Sequence, residues 1–543
     1  MMAILSQPKA PTAAERKLLG ANAAIWAASQ VKVESGEPFS FEHHRYQLEP
    51  MCLDHPKVCF RKATQGGFTL LVMLRMIFAM LKGVVKQGVI YVFPTDVKVS
   101  EFSQLRWTPL IDNNPTSIAR YVARTNNIHN KRVARASLMM RGAQLTKSIQ
   151  GLERESVALR HDPADVIVWD EKDLMPANAI SKGRGRLGHS DLKWEWALSN
   201  PTVPKFGIDA DWQASDQRHW ALACPACNHW NFLEIEYPNC LRRELDGRVI
   251  RVCVKCAREL DLDGRGEWVP HYPSRSAERV GYWWSQLNSH YVDPGLILSE
   301  MEDPPEGNLG DVKRLRLGLP HLDAQYGLTP ADVLLACTAE PAASASRVPT
   351  CLGVDVMRQL YVVIGHRLGP DVYRIIACLI LEDFDALATV AGTFNAELTC
   401  IDSEPDLHAA RRYQADGPGQ VWLSDYIESV GSAKYDVASG LVKINRTEGL
   451  DRTHYYLTKP GKLRLPRATP LMRQFASECA AMAKIVRKDP LTGDLKSVYI
   501  STGADHFRHA FLNFLLAAKR QSPILLRSTH TTPKGGRDFD LFQ

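Results

Sequence analysis

The sequence predicts an α/β chain in two parts, and three observations predict it. Asp165-Val166-Ile167-Val168-Trp169-Asp170-Glu171-Lys172-Asp173 is a short apolar run ending in adjacent carboxylates. Such a run, rich in β-branched residues, suits a strand buried on both faces in a parallel sheet. Upstream, Gly66 and Gly67 open an apolar helical stretch from Leu70 to Leu81. Downstream of the Ala- and Ser-rich stretch Pro341 to Pro349, a β-meander begins at Cys351. At 543 residues the chain is long enough for two or three domains.

Composition narrows the class. The chain is 45% hydrophobic and 23% charged, with no dominant low-complexity tract, which is a globular balance. A net charge of +6 is mild at this length and points only weakly to a polyanionic partner. The longest apolar run, Phe68 to Leu81, is broken by Arg75 and reads as a buried helix, so no membrane partner is expected. No charged start followed by an apolar core marks a secretory signal. Of twelve cysteines, four form two Cys-x-x-Cys pairs and most others sit in apolar contexts. That usage fits a reducing compartment and a metal site better than a disulfide framework.

In order along the chain, residues 1–40 read as a helical lead segment. Tyr46 and Gln47 follow: an aromatic and an amide that could stack on and read an adenine ring, or pack as core. Arg61-Lys62-Ala63-Thr64-Gln65-Gly66-Gly67-Phe68-Thr69 then leads into the helix. A glycine loop at a helix start offers backbone N–H groups and the positive helix end to phosphates. The standard pattern Gly-x-x-x-x-Gly-Lys-Ser/Thr is incomplete here, because Phe68 stands where the lysine belongs. Gly67 remains for the turn, Thr69 as a hydroxyl for Mg²⁺, and Lys62 as an early cation. Taken alone, the loop reads first as a Gly-Gly turn before a core helix.

Gln87 to Thr95 reads as a second buried strand, stopped by Pro94. The segment from Arg120 to Arg160 is rich in arginine and lysine. At the end of the Asp165 strand, one of Asp170 and Glu171 can hold Mg²⁺ and the other can orient or deprotonate water. A solvated acidic turn is the bland alternative. Ser181-Lys182-Gly183-Arg184-Gly185-Arg186 reads as a flexible basic loop, either gripping phosphates or merely solvated. Ser199, Asn200, Pro201 and Thr202 end another apolar stretch.

Cys224-Pro-Ala-Cys227 and Cys253-Val-Lys-Cys256 give the most specific local signal. Each pair puts two thiolates on one tight turn, and two turns close a tetrahedron around structural Zn²⁺. The expected ribbon spans about 220–262, with Cys240 as a bystander. Residues 41–335 form the first expected domain, 336–350 a linker and 351–520 a second domain. The basic tail 521–543 reads as an arm with an apolar hook, suited to docking on a partner.

In the second domain, Asp355 lies on an apolar strand, Asp402 ends another, and Asp505 starts an apolar helix. Strand, strand and helix acids in this order suit an RNase H-like nuclease, in which converging carboxylates hold two Mg²⁺ or Mn²⁺ ions. Scattered surface acids are the alternative.

Jointly, these features resemble the large terminase subunits of tailed phages, in particular the lambda-like GpA group. The resemblance runs from about Tyr46 to Leu516. It rests on the Lys62–Thr69 loop, the Val166–Glu171 strand, Ser199–Thr202, the cysteine knuckles, Gly266-Glu267-Trp268, Gly281-Tyr282 and the acidic trio. It implies a RecA-like P-loop ATPase domain with a zinc-ribbon insertion, followed by an RNase H-like nuclease domain. The implied activity is ATP-driven packing of double-stranded viral DNA into a procapsid, with endonuclease cutting of concatemers.

By position, Tyr46 or Gln47 would meet adenine, Lys62 and Gly67 phosphates, and Thr69 and Asp170 the Mg²⁺ of ATP. Glu171 would be the catalytic base, and Ser199 to Thr202 would couple hydrolysis to movement. Asp355, Asp402 and Asp505 would hold the nuclease metals. Arg124, Arg135 and Arg141 are the arginines available to complete an ATPase site. Relatives often carry a second Asp where His509 stands, which leaves open whether 505 or 509 is the third metal position. Implied partners are DNA, the portal protein and the small terminase subunit, with copies of the chain in a fivefold ring on the portal. The implied location is the host cytoplasm, docked on the procapsid and not in the mature virion. Other classes open to the sequence are a helicase-like ATPase and a zinc-bearing integrase or transposase.

Overall fold

In a computed structural model of the chain, the apolar runs become the middle strands of a ten-stranded sheet. The structure describes residues 13–123, 127–143, 146–147, 153–154, 163–305, 308–322, 327–427, 432–488 and 495–523. The chain divides into two units, residues 1–323 and 324–543.

The first unit is built on strands β1 (Lys57–Lys62), β2 (Gly88–Phe93), β3 (Asn130–Val133), β4 (Ala136–Gly142), β5 (Val166–Asp170) and β6 (Trp194–Ser199). They continue with β7 (Arg218–Ala223), β8 (Trp230–Asn231), β9 (Leu241–Arg243), β10 (Val249–Arg251), β11 (Gly266–Pro270) and β12 (Val280–Trp284). The sheet order is β8-β7-β12-β1-β6-β5-β2-β4-β3, with β11 beside β7. From β7 through β4 every neighbour is parallel, so the carboxyl ends of these strands share one edge. Every residue of β2, β5 and β12 is buried, as strands covered on both faces require.

Helix α2 spans Phe68–Leu81, the bounds of the longest apolar run. Arg75 does not break it. Its guanidinium is buried against the Trp194 ring and donates to the Leu53 carbonyl at 3.1 Å. The lead segment is not separate from this core: helix α1 (Ala13–Gln30) buries Trp26 5.4 Å from the ring of Phe78.

The expected basic loop at 181–186 is instead helix α3 (Ala177–Arg184) running into a short 3₁₀ turn. The reason is packing. Gly183 lies so close to Trp169 that a Cβ would sit 2.4 Å from the ring, and Arg184 bonds Glu195 at 2.8 Å.

The second unit carries β13 (Thr350–Val356), β14 (Leu360–Gly369), β15 (Val372–Leu381), β16 (Ala396–Asp402) and β17 (Gln420–Tyr426). Three shorter strands join them: β18 (Lys434–Asp436), β19 (Leu441–Ile444) and β20 (Leu463–Arg464). The sheet order is β18-β19-β17-β16-β13-β14-β15-β20. Strands β13 to β15 form the expected antiparallel meander; β16 lies parallel to β13, and β17 parallel to β16. Helix α4 (His506–Ala518) crosses β13 at Gly353, where a Cβ would meet the Phe514 nitrogen at 1.9 Å. Only glycine permits that approach.

Residues 336–350 do not hang free between domains. Thr338 N–H donates to Leu465 O at 2.9 Å and Ala343 N–H to Ile376 O at 2.9 Å, both within the second unit. At the other end, Gln521 bonds Pro349 O and Glu397 at 3.1 Å. The remainder of the expected tail, from 524 on, lies outside the described residues.

Candidate functional site

Strands β1, β6, β5 and β2 deliver Lys62, Ser199, Asp170 and Tyr91 to the same edge of the first sheet. The turn after β1 ends at Gly67, whose φ of +73° lies in the left-handed region and starts α2. A side chain there would be strained, and its Cβ would meet Gln47 Nε2 at 2.4 Å. Thr69, in the first turn of α2, donates to Asp170 Oδ1 at 3.4 Å, and Tyr91 O–H donates to Oδ2 at 3.1 Å. Lys62, 6% exposed, donates to Glu171 Oε1 at 3.2 Å. Five side chains thus converge beside a glycine turn and a helix start.

The electrostatics suit a cation site. Burial, reinforced by the neighbouring Glu171 carboxylate, pushes the Asp170 carboxyl up to about 7, while Lys62, Tyr91 and Thr69 pull the other way. A carboxylate held so far from its ordinary range is poised to gain from a cation. Glu171 itself takes a left-handed φ of +61°, which turns its side chain out of the strand while its N–H donates to Leu198 O at 2.8 Å.

Tyr46 and Gln47 lie under the loop rather than beside an open face. Tyr46 is 3% exposed among Phe68, Trp220 and Trp284, and its hydroxyl donates to Gly66 O at 3.3 Å. Gln47 Nε2 donates to the same carbonyl at 2.8 Å. Both brace the glycine turn, and Tyr46 offers no free ring face for stacking.

Ser199 to Thr202 are tied to both parts of the site. Asn200 Nδ2 donates to Lys62 O at 2.9 Å, and Ser199 Oγ accepts from Asp173 N–H at 3.2 Å. Asp173, fully buried, accepts from Thr202 N–H and hydroxyl at 2.8 and 3.0 Å and from Ile208 N–H at 2.6 Å. Pro201 is buried at the turn. Sequence reasoning assigned no role to Tyr91 or Asp173. Only the positions of both residues, on or just beyond buried strands, hinted at one. Of the arginines, Arg124 lies outside the described residues, Arg135 is exposed between β3 and β4, and Arg141 donates to His129 O at 2.9 Å and Asn130 Oδ1 at 2.8 Å.

The four knuckle cysteines come together. Cys224 and Cys256 sulfurs lie 3.6 Å apart, Cys227 and Cys253 3.7 Å, and all four within 4.8 Å of one another. Tetrahedral Zn²⁺ with bonds of about 2.3 Å needs sulfurs about 3.8 Å apart, so the set fits. The two turns share one backbone pattern: Asn228 N–H to Cys224 O at 2.9 Å, and Ala257 N–H to Cys253 O at 2.8 Å, each donor at φ near +55°.

In the second unit, Asp355 and Asp402 face each other from adjacent parallel strands. Burial first, and then the Asp355 carboxylate, pushes Asp402 up to about 7. Ser424 Oγ donates to Asp402 at 2.8 Å, and His506 Nδ1 lies 3.1 Å from Asp355. Asp505 is turned toward His509, 3.7 Å away, and Ser501; burial raises its pKa, but His509 and Ser501 outweigh that and hold it at about 2. The three aspartates are not among the groups, within the described residues, whose ligand atoms all lie within 4.8 Å. His509 Nδ1 is instead 2.8 Å from the Tyr426 hydroxyl.

Comparison with known proteins bears on this edge of the first sheet. The family described as phage terminase large subunit gpA, ATPase domain, matches residues 37–268. Residues 37–268 therefore belong to the ATPase domain of the phage terminase large subunits. The matched stretch holds Lys62, Thr69, Asp170, Glu171 and all four cysteines. The large terminase of bacteriophage HK97 is similar in fold, with a TM-score of 0.54 at 10% identity, covering 91% of this chain and 99% of that one. The large terminase of a thermophilic bacteriophage aligns over 88% of this chain and 98% of that one at 12% identity, but its TM-score of 0.31 is too low to bear on the fold. No curated protein matches in sequence. The terminase ATPase domain is RecA-like in its parallel sheet, and among the described residues no helix is long and apolar enough to cross a membrane.

Proposed function

We propose that this terminase large subunit hydrolyses ATP to drive double-stranded viral DNA into a procapsid and cuts concatemeric DNA with its second unit. The observation that carries the motor half is the meeting of Lys62, Thr69, Asp170 and Glu171 at one sheet edge beside the left-handed Gly67. Backbone N–H groups of the turn and the α2 start receive phosphates. Lys62 neutralises the outer phosphates, Thr69 and Asp170 hold Mg²⁺, and Glu171 takes the proton of the attacking water. Bound Mg²⁺ supplies charge neutralisation on the phosphates. Asn200 and Ser199, bonded to Lys62 O and to the Asp173 turn, carry loop movement into Pro201 and Thr202. The four cysteines hold Zn²⁺ as a structural ribbon within the motor domain.

The nuclease half is supported by the second sheet, an antiparallel meander with two parallel strands added beyond its first strand, the order of an RNase H-like domain. Asp355 and Asp402 fit as ligands for Mg²⁺ or Mn²⁺ that activate water against a phosphodiester. Asp505, held by Ser501 and His509 at the start of α4, is the third acid of the set, with His509 beside it as the alternative position. The partners that follow from this reading are DNA, the portal and the small subunit, with a ring of copies on the portal in the host cytoplasm.

Two variants test the reading on one purified sample. Glu171→Ala should abolish ATP hydrolysis while leaving plasmid cutting intact, and Asp355→Ala should do the reverse in Mn²⁺. Hydrolysis that survives Glu171→Ala would sink the motor assignment, and cutting that survives Asp355→Ala would refute the nuclease site.

A further inference from the structure

We propose that His43, Asp263 and His290 form a second metal site in the first unit, for a divalent transition ion of the Zn²⁺, Co²⁺ or Ni²⁺ class. Asp263 Oδ2 lies 2.6 Å from His43 Nδ1 and 3.2 Å from His290 Nε2. One ligand atom from each residue falls within 4.8 Å of the others. The two imidazole rings are 4.3 Å apart, centroid to centroid. Two neutral imidazoles and one carboxylate are a donor set for borderline transition ions, not for Mg²⁺ or Ca²⁺, which take oxygen.

The geometry is close to that of a ligated ion. Bonds of about 2.0–2.2 Å in a tetrahedron separate ligand atoms by about 3.4 Å. His290 already satisfies this, and His43 needs to retreat by less than about 1 Å, on the order of a rotamer adjustment. The carboxylate is oriented beforehand, because its Oδ1 accepts from the His43 N–H at 3.1 Å. His43 takes a left-handed φ of +59° to present both its N–H and its ring to Asp263. The side chains are 27–39% exposed, so an ion can enter and water can complete its shell. The residues come from the entry segment, the turn after the knuckles and the loop after β12, so no sequence spacing announces them.

The placement gives such an ion an effect, and this part rests on the nucleotide reading above. Three and four residues beyond His43, Tyr46 and Gln47 hold Gly66 O. Before His290 in its loop, Gln286 Nε2 donates to Thr64 O at 3.1 Å and Thr64 Oγ1 at 3.0 Å. The same loop is gripped from the knuckle side by Arg251, which donates to Ser289 O and Val292 O at 2.9 Å. An ion on Asp263 therefore ties both braces of the glycine turn to the cysteine ribbon.

Metal analysis of the full-length chain tests the site. Zinc-saturated wild-type protein should carry one ion beyond that held by the cysteines. His43→Ala/His290→Ala should lose that ion and keep the other. Asp263→Asn, which keeps an acceptor for the His43 N–H and so guards against loss of fold, should lose it too. Cobalt loading distinguishes the sites, because only the cysteine site gives an intense sulfur-to-metal charge-transfer band. A wild type that saturates at the cysteine-bound ion with Zn²⁺, Co²⁺ and Ni²⁺ overturns the proposal, as do variants that retain the second ion. Loss of the ion with an unchanged KM for ATP would leave the site standing and overturn its link to the loop.

Discussion

The Lys62 ammonium donates to Glu171 Oε1 at 3.2 Å across the carboxyl ends of β1 and β5. The ion pair holds Glu171 over the glycine turn and masks the charge of a 6% exposed lysine. Phosphates entering the turn would draw Lys62 away and free the carboxylate. Lys62→Ala is therefore expected to weaken nucleotide binding by about 10- to 100-fold, the worth of a charge-assisted hydrogen bond. Glu171→Gln should bind ATP at least as well as wild type and lose about 10²–10⁴ in kcat. Titration with a fluorescent ATP analogue, beside steady-state hydrolysis, separates the two effects.

A second expectation concerns Arg61, the residue just before Lys62. Its guanidinium lies 3.6 Å from the Trp212 ring centroid and 4.1 Å from that of Trp283, and bonds fully buried Asp209 at 2.7 Å. Arg61→Ala leaves that carboxylate buried with a partner missing and should cost about 3–5 kcal/mol of unfolding free energy. Arg61→Lys should recover only part, because an ammonium cannot stack between two rings. Urea unfolding followed by tryptophan fluorescence measures both.

Stability should also carry a pH signature from Glu234. Its Oε1 accepts from Ser285 N–H and hydroxyl at 3.1 Å, its Oε2 is buried without a partner, and burial pushes the carboxyl up to about 7. The folded state thus keeps a proton that the unfolded chain releases near pH 4.5. The contribution is full below about 4.5 and is lost as pH rises toward about 7, at roughly 1.4 kcal/mol per unit. Glu234→Gln, a neutral isostere, should raise Tm at pH 8 and change it little at pH 5. Equal shifts at both values would contradict a neutral Glu234.

In the second unit, Gly353→Ala should be severely destabilising. The added Cβ would meet the Phe514 nitrogen at 1.9 Å and Ala510 O at 2.2 Å, both backbone atoms that cannot swing aside. A loss of about 3 kcal/mol or more is expected, and it should abolish DNA cutting while ATP hydrolysis persists. Differential scanning calorimetry together with both assays checks this.

Much of the first unit was legible because its chemistry sits on short buried strands. Val166 to Asp170 declared a strand by apolar content, and the two Cys-x-x-Cys turns declared their cluster by spacing. What stayed hidden depends on neighbours remote in sequence. Gly281-Tyr282-Trp283-Trp284 shows no alternation, yet it is the strand beside β1, because both its faces are covered. For Tyr46 the sequence allowed either adenine stacking or core packing, and the surrounding Trp220, Trp284 and Phe68 rings make it core. Residues 181–186 carry two glycines and three arginines or lysines in a loop-like pattern, and the Trp169 ring decides for a helix. Order in the sequence suggested Asp505 as the third acid, but it could not show that Ser501 and His509 are the groups its carboxylate meets at the helix start.

The position of β12 also bears on how the chain is made. Strand β1, which ends in Lys62, lies between β6 and β12, and Val58 pairs with both Trp196 and Val280. During synthesis from the amino terminus, one edge of β1 therefore waits unpaired until the cysteine knuckles have emerged and the chain has reached Trp284. A nascent chain stalled anywhere before that point exposes an apolar strand edge, the kind of surface that chaperones cover and that aggregates when they do not.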